Sequence, residues 1–218
     1  MKTFFRQTSR FFLALGLLLA VSSCCEKNET TVSAGPEATI NTIMQRKSVR
    51  SYTGEPIPDE IMESMLRAAV AAPSGMDIRP WHIVVLTDKS KYAEAFEGNF
   101  NMEKFMQSGA VVIFCADTTV TRPPRENPDA PAETKPNSLW RDDMGACTEN
   151  FLIAAEAYGL GAVWTACYPF PNTMAPVRKF LNLPGNVVPY AIVPVGYPAG
   201  DNAPKDKWDT TRIHYERW

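Results

Sequence analysis

The stretch from Arg46 to Trp81 constrains the fold of this chain more than any other segment. It begins with a run rich in cations, RKSVR at 46–50, and passes through a Pro-Ile-Pro segment into a region of helical periodicity. Pro73 ends that region, because proline lacks a backbone donor and clashes with the preceding turn of a helix. The turn that follows carries Asp77 and Arg79. One helix thus separates an anion-binding group from polar side chains at a turn, a layout suited to a ligand with a phosphate at one end and a flat polar head at the other.

The N-terminal residues have the pattern of a secretory signal. Three cations precede the apolar run at 11–21, which is too short to span a membrane as a helix. The sequence LAVSSC at 19–24 resembles a bacterial lipobox, which implies cleavage before Cys24 and a lipid on its sulfur. An ordinary secretory signal followed by a stray cysteine is the alternative.

The signal divides the chain into three parts. We expect a signal peptide over residues 1–23, a polar lipidated tether over residues 24–36, and one domain over residues 37–218. The lipobox implies that this domain lies in a bacterial cell envelope, anchored outside the cytoplasm. The lipid would be its only attachment to the membrane.

Composition limits the partners of the domain. The chain has 218 residues, of which 45% are hydrophobic and 11% aromatic, enough for one domain with a sizeable core. Loss of Lys2, Arg6 and Arg10 with the signal lowers the net charge from −2 to −5. An acidic body argues against nucleic acid as the partner. The cations at 46–50 therefore indicate a site for a small anion.

The cysteines and histidines do not form a metal-binding pattern. Cys115, Cys147 and Cys167 are widely spaced, with no C-x-x-C pair, and the chain has only His82 and His214. An oxidising envelope would permit one disulfide, which the sequence does not decide. Cys115 lies in the apolar run VVIFC and is expected in the core.

Periodicity and breakers predict an alternation of helices and strands. Helices are expected at 37–46, 58–72, within 89–107, at 138–158 and at 173–181. Strands are expected at 82–86 (buried), 110–116 (central), 161–166 and 190–196. Pro194 favours an edge or a bulge for the last strand. The proline-rich segment 118–137 is predicted to be a lid or a disordered loop. The aromatic tail 197–218 has no core of its own, which favours packing on another surface such as a second subunit.

Three segments resemble the FMN-dependent nitroreductase family: RKSVRSY with PIPDE, then APSGMDIRPW, then GLGAVW followed by LNLPGNVVPYAIVPVGYPAG. The resemblance covers most of residues 40–218. It implies an α+β fold with a mixed sheet flanked by helices. It also implies an intertwined homodimer that holds FMN in two interface clefts and exchanges C-terminal arms.

The resemblance assigns the basic residues to the FMN phosphate. Several cationic donors and a hydroxyl would converge on its oxygens. The first four residues come from the start of the domain and the last two from the tail: Arg46, Lys47, Ser48, Arg50, Lys205 and Lys207. The alternatives are cations that only complement a helix C-terminus, and a solvated charge run in the tail.

The turn after the second helix is implied to meet the isoalloxazine ring from the other subunit. It comprises Pro73, Ser74, Gly75, Asp77 and Arg79. The family usually has asparagine at position 77, whose amide donates and accepts, whereas an ionised aspartate only accepts. The family's common glutamine is Arg79 here, and we expect this cation to offset Asp77 or to face the reduced flavin. A surface Asp–Arg pair of little consequence is the alternative.

The backbone after the third strand is implied to lie near the flavin N5 atom, which places Thr165 and Ala166 at the cofactor. A backbone N–H at that point tunes hydride transfer without a side chain. Trp81 and Trp164 are interpreted as packing residues.

The resemblance implies an oxidoreductase in which the flavin carries the chemistry and no side chain acts as acid, base or nucleophile. An electron donor of the NAD(P)H type and an acceptor such as a nitroaromatic or a quinone would use one site in turn, by a ping-pong scheme. Export conflicts with a cytoplasmic donor. A non-catalytic exported flavin-binding lipoprotein is therefore the alternative, and Asp77 gives it some support.

Overall fold

A computed structural model describes residues 35–200 and 202–218. The expected signal peptide, Cys24 and almost all of the tether lie outside these residues. The helices are α1 (Pro36–Gln45), α2 (Asp59–Val70), α3 (Tyr92–Ala95), α4 (Met102–Gln107), α5 (Trp140–Ala157) and α6 (Pro171–Leu181). The strands are β1 (Trp81–Leu86), β2 (Ala110–Asp117), β3 (Thr119–Arg122), β4 (Glu133–Pro136), β5 (Gly161–Ala162), β6 (Thr165–Ala166) and β7 (Val187–Gly196).

One five-stranded sheet organises the described domain. Its order is β1-β2-β7-β5, and β6 pairs with β7 beyond the short β5. The strands of this sheet pair antiparallel, and a parallel bridge joins Ser48 to Ala162. The α+β fold with helices flanking a sheet is thus confirmed.

The core lies on both faces of β2, which is the central strand as predicted. Phe114 and its alternate neighbours pack against α2 and α5, and Ile113 and its neighbours pack against α3, α4 and α6. This alternation is the period of two of a strand that is covered on both sides. Met65 from α2 and Phe151 from α5 complete the first layer.

Two strand predictions were wrong in their placement. Trp81–Leu86 forms an edge strand with only β2 as its neighbour, so it is partly exposed rather than buried. β7 lies inside the sheet although it contains Pro194. The carbonyl of Pro194 accepts from the Val163 backbone N–H at 3.4 Å, at the gap between β5 and β6. The N–H and C=O groups of one residue point to the same side of an antiparallel strand. The N–H that Pro194 lacks would therefore point to the place where the ladder is interrupted, so no hydrogen bond of the ladder is lost.

The segment 118–137 forms a β-hairpin, so the prediction of a disordered loop was wrong. β3 and β4 pair antiparallel in a separate two-stranded sheet, with Thr119 opposite Pro136 and Arg122 opposite Glu133. The prolines lie at the end of β4 and in the connection between the strands, so they leave this short ladder intact.

Over the residues that the structure describes, no helix is long and apolar enough to cross a membrane.

Candidate functional site

The basic segment at 46–50 is fixed to the sheet through Val49. This side chain is fully buried, and its backbone N–H donates to the Ala162 carbonyl at 3.1 Å. The Tyr52 hydroxyl donates to the Val49 carbonyl at 2.7 Å. Because neighbouring side chains of an extended segment point to opposite sides, burial of Val49 leaves Ser48 and Arg50 exposed.

The exposed side of this segment borders a basic cavity of about 430 Å³. The C-terminal tail closes it from the opposite side. The lining residues are Arg46, Lys47, Ser48, Arg50, Asn202, Ala203, Lys205 and Lys207. The structure therefore brings together all six residues that the sequence assigned to an anion, although more than 150 positions separate Arg50 from Lys205.

Two cations of the basic cavity form salt bridges with glutamates of helix α5. Arg46 Nε lies 2.8 Å from Glu149 Oε1, and Lys47 Nζ lies 2.9 Å from Glu156 Oε1. Arg50, Lys205 and Lys207 form no salt bridge with another described residue. The cavity therefore carries an excess of positive charge, which is the condition for binding a multiply charged anion.

An apolar cavity of about 560 Å³ lies beside the basic one and shares Arg50 with it. Residues around the ends of β6 and α6 form one wall, and the segment that leads into α4 forms the other. Its lining residues are Arg50, Phe100, Asn101, Lys104, Val163, Trp164, Thr165, Ala166, Phe170, Pro171, Asn172 and Thr173. Thr165 and Ala166, which the resemblance places near the flavin, thus line the second of two adjoining cavities.

The turn at 73–79 lies apart from this pair of cavities. None of Pro73, Ser74, Gly75, Asp77 and Arg79 lines either one. The backbone of Met76, Asp77 and Arg79 adopts positive φ values of 55°, 56° and 55°. Such conformations are unfavourable for residues other than glycine, and they persist where the surroundings impose them.

Contacts with helix α5 impose the shape of the turn. The Gly75 N–H donates to Asp143 Oδ1 at 2.7 Å, and a Cβ on Gly75 would lie 2.4 Å from Leu139 Cδ1. Asp143 is buried, and its second carboxylate oxygen has no hydrogen-bond partner among the described residues. A side chain at position 75 would therefore displace the end of the Leu139 side chain.

Asp77 and Arg79 form an exposed bidentate pair. Arg79 Nε and Nη2 each donate to one oxygen of Asp77 at 2.6 Å. The hydrogen bonds from Arg79 and its positive charge hold the pKa of the Asp77 carboxyl below its usual value. Of the two expectations for Arg79, the structure shows pairing with Asp77.

The three cysteines within the described residues are buried and unpaired. Cys115, Cys147 and Cys167 form no disulfide with one another, and burial raises the pKa of each thiol to about 12. Cys115 belongs to the core, as predicted.

Within the described ranges no group of three or more His, Cys, Asp or Glu side chains is arranged to hold a metal ion.

Sequence reasoning missed one wall of the apolar cavity and the supports of the site. Phe100, Asn101 and Lys104 line this cavity, but their sequence indicated only a helix interrupted at a glycine and no ligand site. Glu149 and Glu156, which pair with the basic segment, are seven residues apart and lie on one face of a helix. That spacing was the available signal.

Comparison with known proteins identifies the family. The profile of the nitroreductase family matches residues 43–197. A Methanothermobacter thermautotrophicus protein named "Putative NADH dehydrogenase/NAD(P)H nitroreductase" is 30% identical over 179 residues, which cover 82% of this chain and 87% of the relative. The chain therefore belongs to the nitroreductase family.

Solved structures agree with this assignment. A Bacteroides thetaiotaomicron protein of the same name is 37% identical with a TM-score of 0.71, and the match covers 83% of this chain and 98% of the other. The NADPH:FMN oxidoreductase of Vibrio harveyi in complex with NAD+ is 27% identical with a TM-score of 0.67, and the match covers 83% of this chain and 77% of the other.

Proposed function

We propose that this chain is an FMN-dependent oxidoreductase that reduces electron-poor acceptors such as nitroaromatics or quinones. The junction of the two cavities at Arg50 carries this proposal. A mononucleotide flavin has a dianionic phosphate at one end and a flat aromatic ring at the other. The cavity pair offers a basic compartment and an apolar compartment with one cation at their border.

The residues present fit FMN in charge and in shape. Arg46, Lys47 and Ser48 would donate to the phosphate together with Arg50, and the two tail lysines would approach it from the other side. Glu149 and Glu156 hold the first two cations in place. No described residue that lines either cavity carries a carboxylate, so no lining group would repel the phosphate.

Bound FMN would supply the redox chemistry by accepting a hydride from a donor and passing reducing equivalents to an acceptor. The chain's own residues bind and orient. Thr165 and Ala166 line the apolar cavity beside Trp164, where they would contact the ring. Donor and acceptor would use the same open cavity in turn, which parallel double-reciprocal plots would test.

A homodimer would complete the site. The turn at 73–79 lines neither cavity, and several large apolar side chains at both ends of the domain are exposed: Ile40, Ile43, Met44, Trp208, Tyr215 and Trp218. Helix α1 has no buried residue. Contiguous exposed apolar surface favours association. A second copy would cover α1 and the tail, and would bring its own turn to the flavin ring.

The lipobox supports a further part of the proposal, namely attachment to a bacterial cell envelope through Cys24. Residue 24 lies outside the described residues, so this part depends on the sequence alone. Metabolic labelling with a palmitate analogue would test it, with Cys24→Ser as the unlabelled control. Incorporation that persists in Cys24→Ser would contradict it.

The proposed function is tested by the visible spectrum of the purified protein followed by anaerobic titration with NADH and NADPH. We expect flavin absorption in the isolated protein and its loss on addition of a suitable donor. A colourless protein that takes up no FMN would contradict the proposal.

A second candidate is a non-catalytic flavin-binding protein. The carboxylate at position 77 favours it, because an acceptor-only side chain beside the ring would oppose negative charge on reduced flavin. The bidentate contact with Arg79 offsets that charge and favours the enzyme instead. Steady-state oxidation of a donor distinguishes the two, since a pure binding protein would be yellow and inactive.

A further inference from the structure

We infer that the apolar cavity selects aromatic acceptors that carry an anionic group, and that Lys104 is the residue that determines this specificity. This inference rests on the proposed flavin function and names the substrate class for the same site. It concerns the wall of that cavity to which Phe100, Asn101 and Lys104 contribute.

The charge of the apolar cavity supports the inference. Lys104 and Arg50 are the cationic side chains in its lining, and no carboxylate lines it among the described residues. The first residues of α6, Pro171 to Thr173, also line it, so the positive end of that 11-residue helix dipole faces the same space. These contributions have the same sign, and no carboxylate among the described lining residues neutralises them.

Lys104 is held in position for a ligand. Its ammonium donates to Asn101 Oδ1 at 2.6 Å, and Asn101 is buried. The Asn101 backbone N–H in turn donates to Asn99 Oδ1 at 2.9 Å. Lys104 forms no salt bridge within the described part of the chain. An ammonium fixed by one neutral acceptor retains donors for an anion.

Phe100 places an aromatic face beside this ammonium. Lys104 Nζ lies 5.7 Å from the centre of the Phe100 ring, whose side chain is 88% exposed. An aromatic carboxylate could stack on Phe100 and pair with Lys104 at the same time. A neutral aromatic compound would gain only the stacking contact. The geometry thus separates the two classes of acceptor.

Lys104 and Arg50 differ in which cavities they line. Arg50 lines both cavities, including the one proposed for the phosphate, whereas Lys104 lines only the apolar cavity, which the flavin ring and the acceptor would share. Substitution of Lys104 should therefore change acceptor choice and leave the phosphate contacts that hold FMN intact. Substitution of Arg50 should affect both.

The test measures reoxidation of photoreduced holoprotein by stopped flow, which avoids any assumption about the natural donor. The probes are 4-nitrobenzoate and its neutral analogue 4-nitrobenzamide. We expect wild type to react faster with the anion. Lys104→Met should lower the second-order rate constant for the anion by roughly three- to tenfold and change that for the amide little, the range expected for one accessible ion pair.

Three controls make the result specific. Lys104→Arg should retain the preference, because it keeps the charge. Lys91→Met removes an exposed lysine that does not line the cavity and whose ammonium lies 3.5 Å from Asp88 Oδ2. This variant should behave as wild type. Raising the ionic strength should reduce the preference in wild type and not in Lys104→Met, because salt screens accessible charges.

Each outcome decides between the claims. A protein that lacks flavin would overturn the proposed function together with this inference. A yellow protein that reacts equally with both probes, or whose preference is unchanged in Lys104→Met, would overturn the inference alone. Loss of flavin in Lys104→Met would also overturn it, because Lys104 would then belong to the cofactor site.

Discussion

Val49 and Gly161 pack so closely that position 161 has no room for a side chain. A Cβ there would lie 2.5 Å from Val49 Cβ and 2.6 Å from both Val49 methyl groups. This contact holds the basic segment against the sheet, between the exposed Ser48 and Arg50. The position of the proposed phosphate site therefore depends on a glycine at the start of β5.

Gly161→Ala is expected to lower the free energy of unfolding by about 1–3 kcal/mol, the usual cost of overpacking a buried contact. It should also weaken FMN binding by displacing the basic segment. Urea denaturation and flavin fluorescence measure the two effects. Adding Val49→Ala should restore part of both losses, because it removes the clashing methyl groups. Gly185→Ala, at a position with no atom within 4 Å of the added Cβ, is the matched control. Stability equal to wild type in Gly161→Ala would contradict the packing argument.

Lys205→Met is expected to raise the Kd for FMN by about tenfold, because a charge-assisted contact to phosphate is lost. Lys205 lines the basic cavity and has no salt bridge to another described residue. The control is Lys135→Met, which removes an exposed lysine in the β3–β4 hairpin. Equal flavin affinity in the two variants would exclude Lys205 from the site.

Arg79→Ala is expected to lower the flavin reduction potential, by on the order of 10 mV, because in the proposed dimer it would leave the Asp77 carboxylate uncompensated beside the flavin ring. Spectroelectrochemical titration measures this change. Arg67→Ala removes another exposed arginine that pairs with a carboxylate, Glu63, at 2.6 Å, and it should leave the potential unchanged. An unchanged or higher potential in Arg79→Ala would show that the Asp77–Arg79 pair is a surface feature only.

The sequence predicted those parts of the fold that local patterns determine. The continuous apolar run at 110–116 indicated the central strand, and the proline-bounded stripe indicated α2. Pairing partners depend on the whole sheet. Pro194 was therefore expected at an edge or a bulge, whereas it lies inside the sheet, at the gap between β5 and β6. The β3–β4 hairpin was missed because the prolines of this segment outweighed the weak strand signal of two four-residue strands.

The cations at 46–50 indicated a small-anion site from residue type, whereas the tail lysines were assigned to the same site through the family resemblance. The apolar half of the candidate site could not be read from residue type. Phe100 and Lys104 reach the cavity only through the packing of α4 against the sheet. The same holds for Asp143, whose contact with Gly75 spans 68 positions of the chain.

The stability of the folded protein is expected to decline as the pH rises above 9. The unfolded thiols have an ordinary pKa of 9.0, whereas burial raises the pKa of Cys115, Cys147 and Cys167 to about 12 in the folded state. Between these values the unfolded chain releases protons that the folded chain retains. The contribution is thus complete below pH 9 and is lost as the pH approaches 12.

Urea midpoints at pH 8 and pH 10 measure this effect. We expect a loss of about 1 kcal/mol per thiol at pH 10. Cys147→Ala should have a smaller pH dependence than wild type, whatever its stability at pH 8. An identical difference between the two pH values in wild type and Cys147→Ala would contradict the assignment.

The central claim is that one mononucleotide bridges the basic and apolar cavities that meet at Arg50. The most direct measurement compares the affinities of FMN and riboflavin for the flavin-free protein by fluorescence titration. Riboflavin has the same ring and lacks the phosphate. We predict one FMN per chain, bound at least about a hundredfold more tightly than riboflavin, as several charge-assisted phosphate contacts require. Equal affinity for the two flavins, or no binding of FMN, would contradict the account.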